Sequence, residues 1–209
     1  MIEECRPRLI VVAGPNGTGK TSITEQLLRH AWMDGCLYIN PDNIARDEFG
    51  DWNAPDAVLK AANHAAGLRE QCLVESQSLA FETLLSMPDK IAFIQRAKAA
   101  GFFVRLFFVG TDDPSINAKR VALRVMAGGH DVPISKIIAR YTRSLAHCPT
   151  AARLVDRAYL YDNSVENAPA KLLCRISDGR LIKRYGDINP WAQEILRGLE
   201  HNAGGEKGK

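Results

Sequence analysis

Lys20 and Thr21 close the run Gly14-Pro15-Asn16-Gly17-Thr18-Gly19-Lys20-Thr21, which satisfies G-x-x-x-x-G-K-[ST] in full. Chemistry needs those residue types in that order for a physical reason. Glycines let backbone amides turn inward around phosphate oxygens, and the helix that follows adds the partial positive charge of its N-terminus. Lys20 reaches the outer phosphates, Thr21 offers a hydroxyl to Mg2+, and Ser22 continues the first helical turn. Gly14, Gly17 and Gly19 are the positions where a Cβ would obstruct the loop. The run holds a nucleoside triphosphate, and the lack of an N-K-x-D guanine reader favours ATP.

A phosphate cradle does not say where the phosphate goes, so the acceptor chemistry must come from other strand ends, where open parallel sheets gather their ligands. "INPD" ends in Asp42, which suits a general base accepting a hydroxyl proton during phosphoryl transfer. The same spacing also suits a helix cap for Asn43-Ile44-Ala45. Glu82 and Thr83 end the apolar run "SLAFET", where a carboxylate is costly unless paired or serving a ligand. Glu82 then holds a substrate hydroxyl or a metal-bound water, or is a structural acid paired with an arginine. Asp162-Asn163-Ser164 ends another run and brings Asn163 to the nucleotide. No apolar strand ends in a separate magnesium aspartate, which leaves Thr21 as the assigned metal contact.

Positive charge is concentrated between Pro114 and His147, where Lys119, Arg120, Arg124, Lys136, Arg140 and Arg143 face the single acid Asp131. Arg120 and Arg124 are four apart and share a helix face, and an arginine brought onto a transferring phosphate stabilises its spreading charge. Arg140 is a further substrate contact in this reading, and His130 beside Gly128-Gly129 a weaker one; Lys136 and Arg143 read as solvated surface.

These side chains need a scaffold, and the pattern supplies one. "RLIVVAG" (8–14), "CLYIN" (36–40), "SLAFET" (78–83), "FFVRLFFVG" (102–110) and "AYLYDNS" (158–164) read as strands, nearly continuous in apolar character as buried parallel strands are. Residues 19–32, 55–76 and 88–100 read as intervening helices. The alternation predicts a single α/β domain over 1–209, a doubly wound, mostly parallel sheet flanked by helices. Asp113-Pro114 starts one helix and Pro133 another running to about Leu145; with "GGHDVP" between them they read as a helical lid over 113–147. Asp178-Gly179 marks a small C-terminal hairpin, Asn189-Pro190 opens a last helix, and 202–209 reads as a disordered tail.

Composition narrows the class without naming a reaction. The chain has 209 residues, 46% hydrophobic and 24% charged, as ordinary globular proteins do. No apolar run approaches a membrane span and the start is acidic, so a cytoplasmic location is expected. The five cysteines show no C-x-x-C spacing and predict neither disulfides nor a zinc site. A net charge of +3, with no aromatic interleaving in the basic segment, argues against nucleic acid.

The order "GPNGTGKT", "INPD", "FETLLS", "RVALRVMAGGHDVP", "IIARYTRSL" and "YLYDNS" resembles the zeta toxin family of P-loop kinases, over roughly residues 8 to 165. The resemblance implies a P-loop kinase fold, ATP with Mg2+, and phosphorylation of the sugar 3′-hydroxyl of UDP-N-acetylglucosamine, an activity that poisons cell-wall synthesis. It also implies an antitoxin as partner. Carried onto this chain, Lys20 and Thr21 bind phosphate and Mg2+, Asp42 is the catalytic base, Glu82 and Thr83 line the substrate site, and Arg120 and Arg124 neutralise the transferring phosphate. Family members are longer and carry sugar-nucleotide contacts not located in this chain. Two alternatives stay open: a kinase for another alcohol (an antibiotic, a nucleoside or a polynucleotide end), and a catalytically weak nucleotide-binding regulatory or partner-binding module.

Overall fold

The computed structural model describes residues 6–49, 54–127 and 132–201. In chain order the elements are β1 (Arg8–Ala13), α1 (Lys20–Leu27), β2 (Leu37–Ile39), α2 (Pro41–Phe49), α3 (Pro55–Val74), β3 (Leu79–Thr83), α4 (Asp89–Ala99), β4 (Phe103–Gly110), α5 (Pro114–Met126), α6 (Ile134–Leu154), β5 (Arg157–Asp162), β6 (Lys171–Ser177), β7 (Arg180–Arg184) and α7 (Pro190–His201). Among the described residues seven strands form one sheet in the order β2-β3-β1-β4-β5-β6-β7. The first five strands run parallel, and β6 and β7 add an antiparallel edge. This is the doubly wound, mostly parallel α/β sheet flanked by helices that the alternation of runs predicts.

Period-two alternation along β1 explains how both faces are filled. Leu9, Val11 and Ala13 enter the larger core, with α3, α4, α6 and α7 packed over it, whereas Ile10 and Val12 enter a smaller core closed by Ile23 and Leu27 of α1 and by Met33. All eight residues of β4 are buried, as befits a central strand covered on both sides. Parallel pairing sends the ends of β1, β3, β4 and β5 to one rim of the sheet, so the loops that leave them share one cleft.

Several boundaries move, each for a local reason. The first helix stops at Leu27, and a 3-10 turn at Ala31–Met33, capped by the His30 ring, occupies the rest of the expected span. Asp113 caps α5 by accepting from the Ser115 amide at 2.7 Å, with Pro114 behind it. α6 runs past the expected end at Leu145 to Leu154 with Pro149 inside it. Tertiary packing overrides the breaker there: Pro149 fits against Gly198 of α7, where a Cβ would lie 2.9 Å from its ring. Asp178 and Gly179 both take positive φ and close the β6–β7 hairpin. Trp191 of α7 lies so close over Gly110 that a Cβ there would sit 2.6 Å from its ring, and its indole N–H donates to Asp162 Oδ1 at 3.4 Å. Residues 128–131 between α5 and α6, which include His130 and Asp131, and the tail from 202 lie outside the described residues.

Candidate active site

The cradle is made by backbone shape. Gly14, Gly17 and Gly19 take φ of +146°, +72° and +84°, a region that side chains disfavour. A Cβ on Gly14 would lie 2.2 Å from Val109 O, one on Gly17 2.7 Å from Asn117 O, and one on Gly19 2.4 Å from Asn163 Nδ2. The loop is therefore wedged between the ends of β4, α5 and β5, and space as well as φ demands glycine. The Gly14 amide donates to Thr83 O at 3.2 Å, which ties the loop to the end of β3. The buried Thr18 hydroxyl donates to Pro15 O at 3.0 Å. Thr21 and Ser22, in the first turn of α1, remain exposed.

Lys20 is where the donor and acceptor halves meet. Its ammonium donates to Pro15 O at 2.8 Å, and its pKa is lowered from 10.5 to about 8. Burial of the ammonium is the largest cause; Glu82 and Asp42 oppose the shift and Arg124 adds to it. The residue as a whole is half-buried, while the shift reflects burial of its titrating ammonium. Three of the charged residues singled out from sequence thus lie within electrostatic reach of the cradle lysine.

The two readings of Asp42 separate cleanly. The cap of α2 is Asn40, whose Oδ1 accepts from the Asp42 amide at 2.9 Å. Asp42 sits in the first turn with an exposed side chain, and among the described residues its carboxylate has no hydrogen-bond partner. Glu82 is half-buried, and its partner among the described residues is Tyr38, whose hydroxyl donates to Oε1 at 3.1 Å. Tyr38 accepts in turn from Asn40 Nδ2 at 3.1 Å, and burial, followed by the Glu82 charge, pushes its phenol pKa up. Thr83 does more than face the cleft: its hydroxyl accepts from the Leu85 amide at 3.1 Å, in a turn where Leu85 takes φ +54°.

The two arginines of α5 part company. Arg124 is exposed and lies within reach of Lys20. Arg120 instead donates to Asn163 O at 2.7 Å and to Val165 O at 3.3 Å, holding the loop after β5. Asn163 spends its own side chain on the cradle, donating to Thr18 O at 2.8 Å. Arg140 reaches the cradle from α6, donating to Asn16 Oδ1 at 3.3 Å. The sequence offers Asn40 and Thr111 as polar strand ends without a role and gives no sign of Tyr38, Asn117 and Tyr141; all five are polar groups that hold others in place. Asn40 before Pro41 carried a readable cap signal; the rest had none, because their partners are distant in sequence.

Among the described residues no cluster of three His, Cys, Asp or Glu is placed to hold a metal, and no helix is long and apolar enough to cross a membrane. Cys72, Cys148 and Cys174 are buried free thiols and Cys36 is half-buried.

Comparison with known proteins adds an independent line. A Haemophilus influenzae protein described only as uncharacterized is 30% identical over 135 residues, spanning 64% of this chain and 92% of that protein. The fold matches a structure from the PezAT chromosomal toxin-antitoxin system of Streptococcus pneumoniae, at TM-score 0.58 and 16% identity over 95% of this chain and 86% of that one. It also matches the AvrRxo1-ORF1:AvrRxo1-ORF2 structure with sulphate ions, at TM-score 0.57 and 18% identity over 94% and 76%. The model of the family described as zeta toxin matches residues 1–168, most of the chain and every site residue named above, and the chain belongs to that family.

Proposed function

We propose that this chain is an ATP-dependent kinase that transfers the γ-phosphate to the hydroxyl of a small molecule, and that the acceptor is a UDP-activated amino sugar such as UDP-N-acetylglucosamine. Membership of the zeta toxin family supports a kinase-type phosphotransferase. The observation that supports phosphoryl transfer to a hydroxyl is that Asp42, Glu82 and Arg124 lie within electrostatic reach of Lys20, and the resemblance of the motifs to the zeta toxin family supports the UDP-sugar acceptor. A pure nucleotide binder has no use for a hydrogen-bond-free carboxylate across from its phosphate loop; a kinase does.

In this reading the cradle receives the phosphates, since its glycines at positive φ shape a turn of backbone amides at the N-terminus of α1. Lys20 is charged below about pH 8 and pairs with the outer phosphates. Asp42 accepts the acceptor's hydroxyl proton as the new O–P bond forms and the bond to the β-phosphate oxygen breaks, releasing ADP. Glu82, steadied by Tyr38, holds a second hydroxyl of the acceptor. Arg124 offsets charge on the transferring group. Thr21, exposed at the start of α1, would hold Mg2+, which when bound neutralises phosphate oxygens.

A toxin role with a protein antitoxin, in the cytoplasm where ATP and sugar nucleotides meet, completes the proposal; the family match and the toxin–antitoxin origin of the PezAT structure support it. The test is mass-spectrometric detection of phosphorylated product from the purified protein, ATP and Mg2+ with UDP-N-acetylglucosamine, beside a nucleoside, an aminoglycoside and a 5′-hydroxyl oligonucleotide. A UDP-sugar phosphate supports the reading. Turnover of another alcohol alone overturns the acceptor, and no turnover of any of them overturns the kinase.

A further inference from the structure

Asn117 is fully buried in the first turns of α5, and both partners of its side chain lie at the cradle. Its Nδ2 donates to Asn16 O, and its Oδ1 accepts from the Thr111 hydroxyl. The orientation is fixed by chemistry: Asn16 O is a carbonyl and accepts only, so the amide nitrogen must face it and Thr111 must donate. Thr111 is held from the other side, since its carbonyl accepts from the Tyr141 hydroxyl at 2.7 Å. The Asn117 main chain also occupies the space beside Gly17, with its carbonyl 2.7 Å from where a Gly17 Cβ would lie. Two consecutive cradle residues are thus held by one residue of α5, the first by the side chain and the second by the backbone.

Asn117, Arg120 and Arg124 stand at i, i+3 and i+7, on one face of α5. The first is bonded to the phosphate loop, the second to the loop after β5, and the third is within electrostatic reach of Lys20. We propose that Asn117 is a positioning residue for nucleotide phosphates: it holds the 16–17 turn in its phosphate-receiving shape and fixes α5 to it, so that Arg124 is delivered in register with Lys20. This rests on the reading of the cradle as an ATP site. The first turns of α5 are, in consequence, part of the cradle, and a tilt of α5 at its start would have to give up the amide bond to Asn16.

The experiment uses the full-length protein and measures ATP and adenosine binding by calorimetry, with a thermal melt of every variant. Asn117→Asp keeps the side-chain shape, removes the donor and sets a carboxylate against a carbonyl. It is expected to weaken ATP about 100-fold, Asn117→Ala about tenfold, and Thr111→Val, which only frees the amide to turn, about threefold. Adenosine, which has no phosphates, is expected to change less than twofold in each. In turnover assays the loss falls on KM for ATP more than on kcat. Folded variants with wild-type ATP affinity, or an equal loss for ATP and adenosine, would overturn the positioning role. Should both Asn117 variants fail to fold, Thr111→Val decides: unchanged ATP affinity sinks the proposal. A wild-type protein that binds no ATP overturns the kinase reading itself, a failure distinct from one confined to the variants.

Discussion

On the donor side of the cleft the phosphate loop is gripped from outside at Asn16 by Asn117 and Arg140, and at Thr18 by Asn163, which Arg120 holds in turn. On the acceptor side the three-residue strand β2 leads into α2, where Asp42 stands exposed. β2 forms the edge of the sheet, and its Leu37 is exposed while Ile39 alone is fully buried. Phosphate chemistry is the same for every acceptor, so a fixed cradle costs no versatility and avoids reorganisation when charge moves. Acceptors differ, and in the proposed reading the elements that meet them lie at the sheet edge, with α2 packed against α3. The contrast, in that reading, assigns the donor to the cradle and the acceptor to the edge β2–α2.

Replacing Asp42 strikes the acceptor half hardest. Asp42→Asn is expected to lower kcat about 1,000-fold with ATP affinity within twofold of wild type, checked by steady-state kinetics beside calorimetry. A matching loss of ATP affinity would mean that the halves are not separable in this way. Arg124→Ala is expected to lower kcat about 100-fold, whereas Arg120→Ala is expected to act through the Asn163 loop and raise KM for ATP a few-fold. Equal kinetic signatures for the two would erase the distinction drawn from their contacts.

Lys20 gives a pH test of the donor half. With its pKa at about 8 in the free protein, ATP affinity is expected to fall about tenfold between pH 7 and 9, with proton uptake on binding above pH 8 in calorimetry buffers of different ionisation heat. Folding stability should move the other way. The folded pKa lies below the ordinary 10.5, so between these values the unfolded chain holds a proton that the folded one has released, and this group favours folding as pH rises. The smallest effect is expected from Tyr38→Phe, which removes the Glu82 hydrogen bond and should raise KM for the acceptor about twofold with ATP unchanged.

Legibility in the sequence divides along the same line. The cradle, the strand order of chemistry and the Asp113-Pro114 start of α5 follow from local rules, because glycine at positive φ and a cap before proline are demands of a few consecutive atoms. The carboxylates were legible as types at strand ends, but whether Asp42 capped α2 turned on Asn40 doing so instead. The separation of Arg120 from Arg124 could not be read, since both lie on one helix face and their partners come from other elements. Nor could the persistence of α6 through Pro149, which depends on the missing side chain of Gly198. Long-range partners are what one sequence states least.

Trp191 gives the C-terminal segment a larger meaning than a trailing helix. The shared family sequence ends at 168, yet the indole covers Gly110, lies 6.2 Å from the Phe108 ring and donates to Asp162, while β6 pairs with β5 along its length. A chain cut at the end of the family match would leave those groups open to water at the very strands that carry the nucleotide loops. The span of the family match and the span of the packed core are, in this molecule, two different lengths of chain.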